Sequence, residues 1–229
     1  RPGDPQLTTE GIGRADVWVF EATALGAALG GTPLTILTLF GDTPRALATD
    51  GTTVYAAVFH SGNRTTSITE SVVAANGGMP PNPTGSTPNP PSTGLIVHFN
   101  DANSRWEDEI ARDWSGQVAF SLPDQDVFVI DSTLPTPAQT GSISGVGTVL
   151  FNMAVRPSSG GKLYVTNTEA RNHIRFEPVL RGHITESRIT VINGTTPTPV
   201  HLNPHINYTV VPGPQSEVDN SLAFPTDLV

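Results

Sequence analysis

Between Thr166 and His183 the chain reads "TNTEARNHIRFEPVLRGH", placing Glu169, Arg171, His173, Arg175, Glu177, Arg181 and His183 within one short span. Acids, guanidinium groups and imidazoles interleaved in this way support two chemistries. Arginine forks and imidazoles can hold an acidic ligand or the carboxylates of a protein partner. The same charges can instead neutralise one another across a solvated sheet face. The alternation in "HIRFE" predicts a strand over His173–Glu177, with His173, Arg175 and Glu177 on one face, Ile174 and Phe176 on the other, and Arg188 paired across from it.

Other sources of reactivity are thin. The chain has no cysteine, so it has no disulfide, thiolate metal site or c-type haem attachment. No G-x-S-x-G elbow is present, and the "GIG" at Gly11 and "GVG" at Gly145 lack the lysine and helix of a phosphate cradle. His201 and His205 have zinc-like spacing only on a helix, which Pro204 opposes. His60, in "HSGN", reads as a turn hydrogen-bonder, and Asp124, Asp126 and Asp131 offer oxygen ligands without the glycine and glutamate of a calcium loop. The expectation is no catalytic residue, no metal and no cofactor. Asn63, Asn193 and Asn207 stand in N-x-T sequons and would accept glycans in a glycosylating secretory pathway.

The positioning elements read as strands. With 22 glycines, 21 prolines and only 14% charged residues, the composition predicts many short strands joined by turns, an all-β chain. Period-two segments fall at Asp16–Glu21, Leu34–Phe40, Thr52–Phe59, Gly94–Asn100, Gln117–Leu122, Asp126–Asp131, Val149–Val155, Lys162–Asn167, Ser187–Asn193 and Ile206–Val211, besides His173–Glu177. "SRWEDEIARDW" (Ser104–Trp114) reads as a helical turn or an irregular edge strand. A net charge of −9 with only 12 basic residues argues against nucleic acid, and no apolar run is long enough to enter a membrane as a helix.

The strands follow a plan. "PRALATDGTTVYAAVFHSGN" (Pro44–Asn63) and "FNMAVRPSSGGKLYVTNTEARN" (Phe151–Asn172) each give an apolar strand, a glycine turn, a strand centred on Tyr55 or Tyr164, and a polar turn. A compressed third copy spans Val118–Thr133 and a fourth starts at Ser221. "GKLYVTNTEARN" resembles the signature of bacterial YVTN-type β-propellers, and the other copies are similar to it more loosely.

That resemblance implies a β-propeller of several four-stranded antiparallel blades, here a partial ring forming one segment over 1–229, with a Pro-rich loop at 79–94 and a long loop at 193–219. It implies an extracellular, cell-surface or periplasmic scaffold that binds proteins or ligands without catalysis. A propeller portion of a larger metal- or haem-dependent enzyme and a structural subunit of an extracellular fibre are the alternatives. An unclosed ring leaves edges that need cover. The expected partners are therefore a protein, the remaining blades of the same chain, or further copies in a homo-oligomer or fibre.

Overall fold

The computed structural model describes residues 15–25, 31–81, 91–119, 121, 124–156, 161–175 and 180–228. The chain is all-β, with 44% of the described residues in strands and 6% in helices. The main body is a curled, half-barrel antiparallel sheet of eight strands.

It is built from two four-stranded meanders. The first comprises β3 (Asp42–Thr49), β4 (Thr53–His60), β8 (Val127–Asp131) and β9 (Ala138–Ile143), in that spatial order. The second runs β10 (Val149–Arg156), β11 (Lys162–Ala170), β12 (Thr185–Asn193) and β13 (Thr196–His201). Among the described residues, strand pairing joins them through Val149↔His60 alone, beside the bond from Ser61 N to Thr148 O at 2.8 Å.

The β3–β4 turn shows why the chain reverses there. Asp50 Oδ1 accepts from the backbone N–H groups of Thr52 at 2.9 Å and Thr53 at 2.8 Å. Gly51 takes φ +99°, a conformation that glycine enters without steric cost. Alternation in the flanking strands then sends successive side chains to opposite faces. Val127 and Val129 turn toward the second meander, and Phe128 and Ile130 away from it.

Three clusters result. Between the meanders, Ala46, Ala57, Val127, Ile143 and Val146 meet Leu150, Met153, Leu163, Val165 and Ile192. On the far face of the first meander, Ala56, Val58, Phe128 and Ile130 are covered by Val17, Leu37 and Leu39 of a two-stranded sheet, β1 (Ala15–Val19) with β2 (Thr35–Leu39). The third cluster lies in an insertion between β4 and β8. There β5 (Thr65–Ile68), β6 (Leu95–Asn100) and β7 (Arg105–Glu107), with helix α1 (Glu70–Ala75), enclose Ile68, Val73, Leu95, Val97 and Trp114.

Several expectations are corrected. Residues 173–175 are a turn and irregular chain rather than a strand, and Arg188 pairs across from Asn167 of β11. Gln117–Ala119 is not strand, so no third copy starts there; β8 instead completes the first meander with β9. Residues 206–211 contain turns and bends but no strand. Ser221–Leu228 forms no strand either but crosses the second meander, where Phe224 N donates to Ser187 Oγ at 3.3 Å. The region 193–219 is no plain loop: it contains β13, whose Pro197 and Pro199 are tolerated at a sheet edge, and helix α2 (Gln215–Asp219). The core of the Pro-rich tract, 82–90, lies outside the described residues.

"SRWEDEIARDW" forms the edge strand β7 and then a loop around one buried carboxylate. Asp108 Oδ2 accepts from Trp114 Nε1 at 2.9 Å and Arg112 Nε at 2.7 Å, while Oδ1 accepts from the N–H groups of Ile110 and Arg112. Burial would raise its pKa, but these donors outweigh burial and hold it below the ordinary range. Among the described residues no helix is long and apolar enough to cross a membrane.

Candidate functional site

Along the inward faces of β11 and β12 the apolar rows give way to polar groups at one end. Leu163 and Val165 are followed by Asn167 and Glu169; Ile192 is followed, running back along β12, by Thr190, Arg188 and Glu186. Facing them from the first meander are Ser61, just after β4, and Asp124 and Asp126, just before β8. The rim between the meanders is therefore a polar cluster continuous with the core.

Asp126 is fully buried, and its carboxylate accepts from Val146 N at 2.6 Å, from Gly147 N at 3.3 Å and from the Ser61 hydroxyl, tying the end of β4 to the β9–β10 loop. Burial, and then the neighbouring Asp124, push its pKa well above the ordinary carboxylate value. Asp124 receives Arg64 Nε at 3.3 Å on Oδ2, while its buried Oδ1 accepts no hydrogen bond from any described donor. Gly147 packs directly against the Asn167 side chain, leaving no room for a Cβ.

Glu169 Oε2 accepts from Thr148 Oγ1 at 3.2 Å and lies 3.6 Å from Arg188 Nη1. Its pKa is raised by burial, against the pull of Arg188. Arg188 grips Glu186 Oε2 through Nη2 at 2.6 Å and Nε at 2.9 Å. Burial would raise the Glu186 pKa, but these Arg188 bonds outweigh it and the value falls. His183 Nε2 comes within 3.1 Å of Glu186 Oε1, an ion-pair approach without hydrogen-bond alignment. The His183 ring stacks face to face on Tyr208 at 3.7 Å, with the His201 ring 6.0 Å away. Burial, and then Arg171, lower the His183 pKa.

Of the residues singled out in the sequence, Glu169, Arg171 and His183 thus come together; Arg171 Nη1 donates to His183 O at 3.2 Å. Arg181 stands apart, donating to Thr209 O at 3.0 Å beside a cleft of about 210 Å³ that also involves Tyr208, Val210 and Glu217. His173 and Arg175 face the inserted sheet. The His173 ring stacks on His98 with centroids 5.0 Å apart, and Arg175 Nη2 reaches Glu109 Oε1 at 2.6 Å and Pro80 O at 3.2 Å. Glu177 lies outside the described residues. The cause of this division is the turn after β11, where Ile174 N donates to Arg171 O and the chain changes direction.

The arginines at this rim bind acceptors of the same chain. Chemically, the arrangement joins three pieces of sheet and keeps a set of carboxylates and imidazoles at shifted pKa values. Among the described residues no group of three His, Asp or Glu side chains is placed to hold a metal ion. Glu186 and Arg188 belong to the same run of acids and bases in the sequence, whereas sequence reasoning did not join Asp126 and Tyr208 to the cluster. "LPDQD" hinted at the acid pair, but only tertiary contacts bring it to Glu169.

The three sequon asparagines sit differently. Asn193 is exposed at the β12–β13 turn, and Asn207 is exposed with Oδ1 accepting from Thr209 N and Oγ1. Asn63 is half-buried, its Nδ2 donating to Ala170 O at 3.0 Å and Asn172 Oδ1 at 2.9 Å, bonds that a glycan at that nitrogen would disturb. No family model, no curated protein and no solved structure matches the chain. The fold and the rim together describe an all-β chain of stacked antiparallel meanders with a polar seam.

Proposed function

We propose that the protein is a non-catalytic scaffold of the β-propeller type, acting outside the cell or at its surface in protein or ligand binding and assembly. Each four-stranded meander is then a blade, with blades set about a common axis. One observation carries the reading: equivalent positions of the two hairpins play equivalent parts. When Tyr55 is matched to Tyr164, the residues preceding and following each tyrosine, Val54 and Ala56 or Leu163 and Val165, face the sheet that comes earlier in the chain. Tyr55 itself faces the sheet that follows. Such modules bury their faces only by stacking, as radially repeated sheets do.

The test has two parts. An experimental structure should show the two meanders related by a rotation about one axis; a closed sandwich with no such rotation removes the propeller reading. Elemental analysis and absorption spectroscopy on the purified protein should show neither stoichiometric metal nor haem. Either one at stoichiometric level would replace the scaffold with part of a metal- or haem-dependent enzyme.

A further inference from the structure

We infer that the cleft beside Arg181 docks a peptide segment of a partner protein in which an apolar side chain stands next to an acidic one. The inference rests on the scaffold reading and names its partner chemistry: the apolar side chain enters the cleft and the carboxylate meets Arg181.

The cleft lies between the chain that follows β13 and the short helix α2, with Arg181 contributed by the β11–β12 connection. It measures about 210 Å³, and Ile206, Val210, Val211, Pro214 and Val218 give it an apolar lining. Val211 is 71% and Val218 62% exposed, so the described residues leave this surface uncovered. Its walls are nonetheless fixed. Tyr208 stacks on the His183 ring at 3.7 Å, and Asn207 N donates to Glu217 Oε2 at 3.2 Å, tying α2 to the preceding loop. Beyond α2 the buried Asn203 clamps Leu222, its Nδ2 donating to Leu222 O at 2.8 Å and its Oδ1 accepting from Leu222 N at 2.7 Å. A cleft held in this way binds without an ordering cost in its own walls.

Arg181 supplies the charge. Arg64, Arg105, Arg112, Arg175 and Arg188 each hold a carboxylate of the same chain. Arg181 instead donates Nη1 to Thr209 O at 3.0 Å, and no carboxylate among the described residues lies within ion-pair distance of it. Its Nε and Nη2 are left for an external acceptor. Arg181 also takes φ +52°, a left-handed conformation that is unfavourable for a residue with a Cβ and that recurs at ligand clamps. The planar guanidinium fork matches a single carboxylate. Glu217 in the same lining, and the net charge of −9, disfavour a dianionic phosphate.

Size points to a peptide. Sites that enclose small molecules measure about 300–1,000 Å³, whereas this open cleft suits one apolar side chain. Leu222, one residue beyond Ser221 of the lining, is 57% exposed, so apolar surface continues past the cleft for the rest of an extended segment. Acidic motifs read by arginine are an established mode of peptide recognition.

The test is a proton–nitrogen correlation NMR titration of the full chain with acetyl-leucyl-glutamyl amide, acetyl-leucyl-glutaminyl amide, acetyl-seryl-glutamyl amide and octanoate. The leucyl-glutamyl peptide should move the amide signals of Arg181, residues 207–211 and α2, and leave β5–β7 unmoved. The other two peptides should each bind about fivefold more weakly, because each lacks one half of the match. Arg181→Gln should bring the leucyl-glutamyl and leucyl-glutaminyl peptides to equal affinity, and Val218→Ser should weaken both. Both positions are exposed, so the remaining signals should stay in place, and the peptide series on the wild type decides the matter without either variant. No movement at the cleft at any soluble concentration of the leucyl-glutamyl peptide overturns the inference, as does equal binding of its glutaminyl counterpart to the wild type. Tighter binding of octanoate than of the leucyl-glutamyl peptide assigns the cleft to a free fatty acid and overturns the peptide occupant. All three results leave the scaffold reading standing; stoichiometric haem or metal would strike that reading instead.

Discussion

The two meanders are made alike and situated differently. The first is interrupted between its second and third strands by a whole inserted sheet, and both of its faces are covered. The second runs without an inserted sheet, and one of its faces is covered by another sheet while the other carries the crossing C-terminal segment. The contrast shows that alternation gives a strand two usable faces, but neighbours decide which become core. Tyr55 and Tyr164 sit at matching points of the two hairpins; Tyr55 packs against the central cluster, where burial and then Asp50 raise its pKa.

The sharpest way to break this comparison is to truncate one apolar side chain on each unlike face. Phe128 is fully buried under β1–β2. Phe128→Ala should cost about 3–5 kcal/mol in chemical denaturation. Val191→Ala, at a half-buried position on the face that the C-terminal segment crosses, should cost less, about 1 kcal/mol. Equal costs would mean that the crossing segment covers Val191 as fully as β1–β2 covers Phe128.

The seam between the meanders comes next. Asp126→Ala leaves the Val146 and Gly147 N–H groups without their acceptor. It should cost about 3 kcal/mol, read from the same denaturation curves. A loss within error would mean that water replaces the carboxylate and that the seam is not closed. The insertion is held by a smaller clasp. Arg175→Ala removes the charge-assisted bonds to the mostly buried Glu109. The loss should be about 1.5–3 kcal/mol, the range for hydrogen bonds to charged groups. Hydrogen exchange should quicken in β5–β7 before it does in β10–β12; uniform quickening would show that the insertion and the main sheet open as one unit.

The smallest effect is a pH dependence. Burial lowers the pKa of both His98 and His173, and for His173 the facing His98 adds to this. Asp101, Arg64 and Glu107 face His98; Arg171 and Glu109 face His173. Unfolding returns both rings to the ordinary value near 6.5, so the unfolded chain binds more protons between the lowered values and that value. Their contribution is present above about pH 6.5 and is lost as pH falls through this window. Asp126 and Glu169, raised in the fold, act in the opposite sense, gaining stability as they take up protons. The difference between wild type and His98→Gln/His173→Gln isolates the imidazoles. It should change between about pH 7 and pH 5, with the wild type losing more stability as the pH falls. A pH-independent difference would mean that the pair is solvated.

Much of the strand content was legible in the residues. β1, β2, β4, β6, β8, β10, β11 and β12 follow from runs of Val, Ile, Leu, Phe, Tyr and Thr with period two, a pattern written in the local chain. β9 (AQTGSI) and β13 (TPTPVH) were not legible, because small residues and prolines carry no such pattern and become strands only by pairing with β8 and β12. "HIRFE" shows the reverse failure. Its alternation is as good as that of β11, yet the turn after Ala170 sends His173 and Arg175 to the inserted sheet, where polar partners outweigh strand propensity. The rim was half legible: Glu169, Arg171 and His183 stood out by charge, but Asp126 lies far before Glu169 in the chain and nothing local links them.

The amino-acid sequence alone determined an all-β chain, its hairpin turns and the two-faced character of each strand, since these follow from backbone sterics and side-chain alternation within a few residues. Tertiary structure decided which faces meet, where the insertion docks and which charges pair. Those outcomes depend on contacts between residues far apart in the chain, whose free energy appears only when the sheets have stacked and water has left the spaces between them.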